Sequence, residues 1–483
     1  MNRARGAGRV LKMVTVTIFL GGCMNPPRYN PPQPEMPAQW KVEAPFRVAK
    51  PQDETPRGPW WERYGDPTLN ELASRALGGS PTLAAAAARL AQARATFTSV
   101  SGQRWPQVAA ILRDGRTRIT QNRPLNNYAA PNFSTVQTDI VYGVQASYEV
   151  DFAGRVASVV ASAKASAEQA AADLETARLL LIADLATAYF NLLQTDIELD
   201  VLASSIDLQK RSLNLATTRH QLGAGSALDV AQQQALIDTT LTQIDILKRQ
   251  RAQFENAIAT LTGTPAPVFS LAAEKREMRP PDFPIGVPSD VLERRPDVAS
   301  AERAMAVANA QVGIANAAFY PSINLGLTYG QESRRLNTLF DVPSLVWSAG
   351  VSLAQPIFDG GRVRGNYEAA RAGYDIAVAN YRRVVLTAMQ EAEDGIIGLA
   401  ALERASVQAD VAVESARRTL DLVNARYEGG VASPLEVISA QQSLLSAERL
   451  ASQLVGQRLL TSVFLVKALG GGWEGPAKVS ARD

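Results

Sequence analysis

The amino-acid sequence predicts a mainly α chain with a transmembrane β-barrel. Each protomer contributes four strands and long coiled-coil helices, the chain is internally duplicated, and other copies must complete the sheet, three of them giving twelve strands. Three observations predict this. A heptad pattern runs without interruption from Arg155 to Gln221, the chain matches itself at a shift of 207 residues, and each copy holds a pair of segments alternating between apolar and polar.

Arg155–Gln221 contains no proline or glycine. Leu185, Leu192, Leu199, Ile206 and Leu213 form one apolar row, and Leu181, Ala188, Leu202 and Ala216 form a second, broken only by Thr195 and Gln209. Two rows at alternating spacings of three and four are the a/d seam of a left-handed coiled coil. At a rise of ~1.5 Å per residue the segment reaches roughly 100 Å, longer than an ordinary globular core. The rest of the chain must therefore supply its partners.

The duplication supplies them. At a shift of 207, Gly154-Arg155 falls on Gly361-Arg362, Arg219 on Arg426, Leu228-Asp229-Val230 on Leu435-Glu436-Val437, and Gly263 on Gly470. Upstream the shift is 215, pairing Pro81 with Pro296 and Pro106 with Pro321. A repeat this long is a duplicated structural unit rather than a solenoid of short modules.

In chain order, residues 1–22 read as a secretory signal. Arg3, Arg5, Arg9 and Lys12 precede a short apolar run ending in Leu20-Gly21-Gly22-Cys23. Residues 23–60 are rich in proline and predicted extended. The first repeat spans 61–288. Asp66-Pro67 starts a short helix that ends at Gly78-Gly79, and Ser80-Pro81 opens an alanine-rich helix to about Arg104. A β-hairpin follows at 106–152, a coiled-coil hairpin of helices at 155–262 that turns at Gly223-Ala224-Gly225, and a linker at 263–288. The return helix has a seam of Ile237, Thr240, Ile244, Leu247, Phe254, Ile258 and Leu261, with Arg251 out of pattern. The second repeat, 289–470, holds a helix at 290–319, a hairpin at 321–357 and a coiled-coil hairpin at 362–469. Gly395 and Gly398 predict a bend or break in its long helix. Residues 471–483 form a flexible tail.

The strands alternate. Ile140, Tyr142, Val144, Ala146, Tyr148 and Val150 face one way, and Val141, Gly143, Gln145, Ser147 and Glu149 the other. Val108, Ala110 and Leu112 mark a partner, and Ile323–Tyr329 and Trp347–Leu353 repeat the pattern. Apart from the possible span these strands offer, no stretch after the signal reads as the ~20 apolar residues of a membrane helix. Four strands cannot close a barrel, and open edges are not tolerated in lipid, so other copies of the chain must complete the sheet.

Composition bounds the chemistry. With 49 basic and 47 acidic side chains there is no broad electrostatic field for nucleic acid. One cysteine excludes an intrachain disulfide, and one histidine makes a Cys/His zinc site or a Ser-His-Asp site improbable. No G-x-x-x-x-G-K-[ST] loop occurs. The expectation is a chain that is no enzyme, with neither cofactor nor metal.

Widely spread motifs carry a family resemblance: Trp60-Trp61, Asp66-Pro67, Leu69, Leu72, Phe319-Tyr320-Pro321, Pro356-Ile357-Phe358-Asp359-Gly360-Gly361-Arg362, and Arg426-Tyr427-Glu428-Gly429-Gly430-Val431. In order and spacing they resemble the outer-membrane efflux proteins of the TolC/OprM-like family, and most closely the lipoprotein (NodT) branch serving resistance–nodulation–division pumps. The resemblance implies a homotrimeric exit duct, a twelve-stranded barrel in the outer membrane continued by a long coiled-coil α-barrel into the periplasm, lipid-anchored at Cys23. A periplasmic adaptor protein would couple it to an inner-membrane pump. Asp229, Glu436 and Tyr427 match the family's periplasmic aperture. Where some members carry an arginine that bridges to the position of Asp229, this chain has Ala432, and another aperture carboxylate is replaced by Ser439, so Arg219 and Arg426 are the substitute basic partners. His220, aligned with Tyr427, is expected to pack as an aromatic would. Leu222, Gly223, Gly225, Leu228, Gly429, Gly430, Val431, Ser433 and Pro434 match the adaptor-docking turns. The alternatives are the outlet of a type I protein secretion system, an envelope enzyme, or a coiled-coil scaffold without a pore; the scaffold leaves the strands unexplained.

Overall fold

The structure, a computed structural model, describes residues 58–122, 135–273, 280–281 and 294–471. The signal, Cys23, the proline-rich segment up to residue 57, half of the linker, the expected start of the 290–319 helix and all but the first residue of the tail lie outside the described residues.

Among the described residues the elements run as follows. A 3-10 turn at Trp60–Tyr64 leads to α1 (Pro67–Gly79), α2 (Pro81–Ser101), β1 (Gln107–Ile119), β2 (Thr135–Val150), α3 (Arg155–Gln221) and α4 (Ala227–Leu261). Then come α5 (Pro296–Ala317), β3 (Ser322–Ser333), β4 (Leu345–Ala354), α6 (Arg362–Glu428) and α7 (Pro434–Ala468). The chain forms two compact units. Among the described residues one lies within Ala91–Gln169 and Glu302–Asn380 and the other within 58–90, Ala170–Ala301 and 381–471, so each draws on both sequence copies.

In the strand unit, β1-β2-β3-β4 form one antiparallel sheet in that order. The central β2–β3 pairing joins the two copies, with Val144 opposite Tyr329 and Ala146 opposite Leu327. Gly143 faces Gly330 there, and a Cβ on Gly143 would lie 2.6 Å from the Tyr329 carbonyl oxygen. No larger residue allows that approach. The register puts the predicted apolar residues on one face, where Leu112, Val144, Leu327, Trp347 and Val351 stand exposed. Two acids start the long helices that follow the hairpins. Asp151 accepts from Val156 N and Ala157 N at 2.9 and 2.7 Å, and Asp359 from Gly361 N and Val363 N at 3.0 and 2.9 Å.

The helical unit is organised by the α3 seam. Leu181, Leu185, Leu192, Leu202, Ile206 and Ala216 are buried, as are the two polar breaks Thr195 and Gln209. Gln209 Nε2 donates to Ser205 Oγ and Thr240 Oγ1, both at 3.1 Å. Each fully buried leucine contributes about 1.5–3 kcal/mol, so the heptad rows supply the main cohesion. Arg251, out of pattern in α4, is explained by its partners. Its Nε donates to Asp196 Oδ1 at 2.5 Å and its Nη2 to the Leu271 carbonyl at 2.9 Å. The core also takes in the N-terminal segment. Asp66 caps α1 through Thr68 N at 2.8 Å, and its other oxygen accepts from the Tyr189 hydroxyl at 2.7 Å. The buried Tyr64 hydroxyl lies 2.6 Å from Ser462 Oγ in the second copy.

The duplication is visible in a repeated close contact. A Cβ on Gly263 would lie 2.1 Å from the Gly79 carbonyl oxygen, and one on Gly470 2.7 Å from that of Arg294. Gly79 and Arg294 are partners at the 215-residue shift, as Gly263 and Gly470 are at 207.

Two expectations are corrected. α6 runs unbroken through Gly395 and Gly398. A Cβ on Gly395 would touch Leu465 at 3.0 Å, and one on Gly398 would touch Thr461 at 3.1 Å, so these glycines let α6 and α7 approach closely. The packing of the neighbouring helix outweighs the ~1 kcal/mol cost of glycine in a helix. Second, α3 does contain an 18-residue window apolar enough by length and composition to cross a membrane. Its mean hydropathy is 1.3, and 56% of the window is buried inside the protein. Leu185 and Phe190 of this helix lie in the main apolar core of the helical unit.

Candidate functional site

Both coiled-coil hairpins turn by the same device. At the end of α3, Gly223 takes φ 75°, Gly223 N donates to the His220 carbonyl at 3.0 Å, and Ala224 N donates to that of Arg219 at 2.8 Å. At the end of α6, Gly430 takes φ 77°, Gly430 N donates to the Tyr427 carbonyl at 3.0 Å, and Val431 N donates to that of Arg426 at 2.9 Å. This paired bonding is the Schellman closure, which needs a residue tolerant of left-handed backbone. The next helix then opens with a reciprocal cap. Ser226 and Asp229 form the box on α4, and Ser433 and Glu436 the same box on α7. The spacing S-x-x-D and S-x-x-E was legible in the sequence as this motif.

The two acids expected at the aperture are therefore held by their own turns. Asp229 Oδ2 accepts from Ser226 N at 3.0 Å, and Glu436 Oε1 from Ser433 N at 2.9 Å and Ser433 Oγ at 3.0 Å. The Ser433 amide, then its hydroxyl, and lastly the charge of Arg426 hold the Glu436 carboxyl below its usual value of 4.5. Glu436 stays ionised and exposed.

The two arginines, equivalent by duplication, do different work. Arg426 Nη1 lies 3.9 Å from Glu436 Oε2 with most of its side chain in solvent. Arg219 crosses to the other hairpin. Its Nη2 donates to the Tyr427 carbonyl at 2.8 Å and to that of Glu428 at 3.3 Å, while its guanidinium lies 4.2 Å from the centre of the Tyr427 ring. A cation placed on the last carbonyls of α6 complements the negative end of that helix. Tyr427 is buried with Ala432 and Val437 in a small apolar cluster flanked by Leu215 and Val423. Alanine at 432 fits this cluster.

His220 departs from expectation. It is exposed, and its Nδ1 donates to the Gly225 carbonyl at 3.1 Å, staying beside its own turn instead of packing like its duplicate Tyr427. Among the expected docking residues, Leu222, Leu228 and Val431 stand 78, 62 and 72% exposed. Leu435, the duplicate of Leu228, was not singled out from the sequence and is equally bare at 61%. Its signal was the duplication itself. A Cβ on Gly223 or Gly430 meets nothing within 4 Å, so both turns present open backbone. Among the described residues no cluster of three metal-ligating side chains occurs.

The outer membrane efflux protein family model matches residues 72–264 and again 287–471, once for each copy. The chain belongs to this family. The pyoverdine export outer membrane protein OpmQ of Pseudomonas aeruginosa is 31% identical over 98% of this chain and 98% of its own length. The toluene efflux pump outer membrane protein TtgF of Pseudomonas putida is 30% identical over 95% of this chain and 96% of its own. The outer-membrane channel OprN has the same fold, with a TM-score of 0.85 and 28% identity, covering 93% of this chain and all of OprN. As a member of the outer membrane efflux protein family, the chain is an efflux channel of the outer membrane. The sheet and the long helices are thereby the two parts of one conduit-forming fold, and the paired turns are its helix ends.

Proposed function

We propose that this channel works as a homotrimer, a passive exit duct from periplasm to exterior. It is driven by an inner-membrane resistance–nodulation–division pump through a periplasmic adaptor, with Cys23 as its lipid anchor. The observation that carries the trimer is the four-stranded sheet with β1 and β4 as edges and exposed apolar residues along one face. Open edges in hydrocarbon leave backbone groups unbonded at several kcal/mol each. Three sheets of four strands remove every edge.

In this reading the two turns are the periplasmic end. Gly223, Gly225, Gly429 and Gly430 let the adaptor approach the backbone, Ser433 and Pro434 start the return helix, and Leu222, Leu228, Val431 and Leu435 bury against it. Asp229, Glu436 and Tyr427 line the aperture, with Arg219 and Arg426 as its basic partners. The duct itself performs no catalysis. The relatives named for pyoverdine and toluene differ so much in cargo that selection belongs to the pump.

The test combines mass measurement in detergent with single-channel recording in planar bilayers. Trimers that conduct are expected. A monomer with folded strands, or trimers that never conduct, would overturn the reading.

A further inference from the structure

We propose that the outer end of the strand unit binds phosphate groups of anionic outer-leaflet lipid headgroups, through Arg116 and Arg118 on β1 and Arg334 and Arg335 after β3. This rests on the barrel reading above.

The sheet register supplies the geometry. The apolar face climbs through levels set by strand pairing, from Val150–Ile323–Leu353 up to Leu112–Tyr142. No position on that face between these levels carries a charge. From Val150 to Tyr142 the strand covers about 26 Å, which at a tilt of ~40° is about 20 Å along the membrane normal, close to the outer-membrane apolar band. Aromatic rings mark its upper border. Tyr329 stands opposite an exposed Trp347, and the Tyr142 ring meets Phe340 edge-on at 5.9 Å between centres. The next level holds Asp114, Ile140 and Ser333, and then come Arg116 opposite Thr138 and Arg118 opposite Val136. Arg334 and Arg335 follow Ser333 and are exposed. Arg116 and Arg118 thus lie on the apolar face just beyond the aromatic border, at headgroup height, with exposed Arg334 and Arg335 at the adjoining end of β3.

Arg113, on the polar side, is bonded to Asp139 at 2.7 Å. Among the described residues the acids at this end are Asp139, bonded to Arg113, Asp114, one level below Arg116, Glu332 on the polar face, and Asp341 in the β3–β4 loop. Arginine at this height offers a planar fork matched to phosphate oxygens, and the apolar strip below offers contact to acyl chains. The two together favour a lipid over free phosphate.

The full-length protein in detergent would be incubated with diphosphoryl lipid A, monophosphoryl lipid A or inorganic phosphate. Retained lipid would be read by native mass spectrometry. Wild type should retain diphosphoryl lipid A best and monophosphoryl lipid A less, with no competition from millimolar phosphate. Arg116→Gln with Arg118→Gln, Arg334→Gln and Arg335→Gln should lower retention at least tenfold, while Arg113→Gln leaves it unchanged. Should the fourfold variant fail to insert, Arg116→Lys with Arg118→Lys keeps the charge and loses the fork, and should retain an intermediate amount. Equal retention by the arginine variants and wild type overturns the proposal, as does full competition by inorganic phosphate. Conduction by the fourfold variant separates this outcome from failure of the barrel itself, which would appear as wild-type protein that does not conduct.

Discussion

Arg219 lies over the ring of Tyr427 at 4.2 Å and bonds the carbonyl of the same residue at 2.8 Å. One side chain from the end of α3 thus holds the end of α6 by two contacts of different kind. Its duplicate, Arg426, has Glu436 at 3.9 Å instead. The duplicated hairpins are therefore tied together asymmetrically.

The tie can be divided by a double-mutant cycle. Tyr427→Leu removes the ring and leaves the carbonyl, and Arg219→Ala removes both contacts. The ring–guanidinium coupling should be about 0.5–1 kcal/mol, read from thermal unfolding in detergent, and Arg219→Ala should also raise resting conductance. Additive single effects would show that the stack contributes nothing.

Neutralising the acids tests the aperture. Asp229→Asn with Glu436→Gln should shift the reversal potential across a salt gradient toward lower cation preference and weaken block by divalent ions, because acids at a constriction favour cations. The caps should persist in part, since an amide oxygen still accepts. An unchanged reversal potential would place the selective ring elsewhere in the tunnel.

The Glu436 cap gives a pH dependence of known sign. Its carboxyl is held below the ordinary 4.5. The stability it contributes is present above that value and is lost as pH falls through the lower folded value. Wild type should exceed Glu436→Gln in unfolding temperature at pH 7, and the gap should narrow as pH falls below 4.5. A gap that does not change as the solution is acidified would contradict a role for the ionised carboxylate.

Docking is best tested away from the positive-φ glycines, where most side chains strain the turn. Leu222→Asp with Val431→Asp, both on exposed side chains, should abolish cross-linking to the adaptor and efflux while leaving the trimer intact. Gly430→Asn, compatible with the left-handed backbone, should keep the turn and the trimer and weaken cross-linking, because its side chain stands where the adaptor approaches. Normal cross-linking in the aspartate pair would remove these turns from the interface.

Gly395→Leu tests the α6–α7 approach. Overpacking against Leu465 should cost about 1–3 kcal/mol, seen as a lower unfolding temperature. A more stable variant would mean that the helices do not need this closeness.

Much of this protein was legible as periodicity. The heptad rows of α3, the alternation in β2 and the 207-residue shift are local or self-referential patterns, and burial follows them because side-chain direction is set by helix and strand geometry. The turns were legible too, since left-handed backbone calls for glycine and a helix start calls for a short acceptor. What needed the tertiary structure was every choice between equivalents. Arg219 and Arg426 have the same place in their copies, yet only the packed neighbour decides which one crosses to the other hairpin. His220 and Tyr427 align, yet one is exposed and one buried. Gly395 and Gly398 read as a break because helix propensity is a cost of about 1 kcal/mol visible in sequence. The gain that outweighs it comes from Leu465 and Thr461, some 60 to 70 residues away, and exists only when α6 and α7 are in contact.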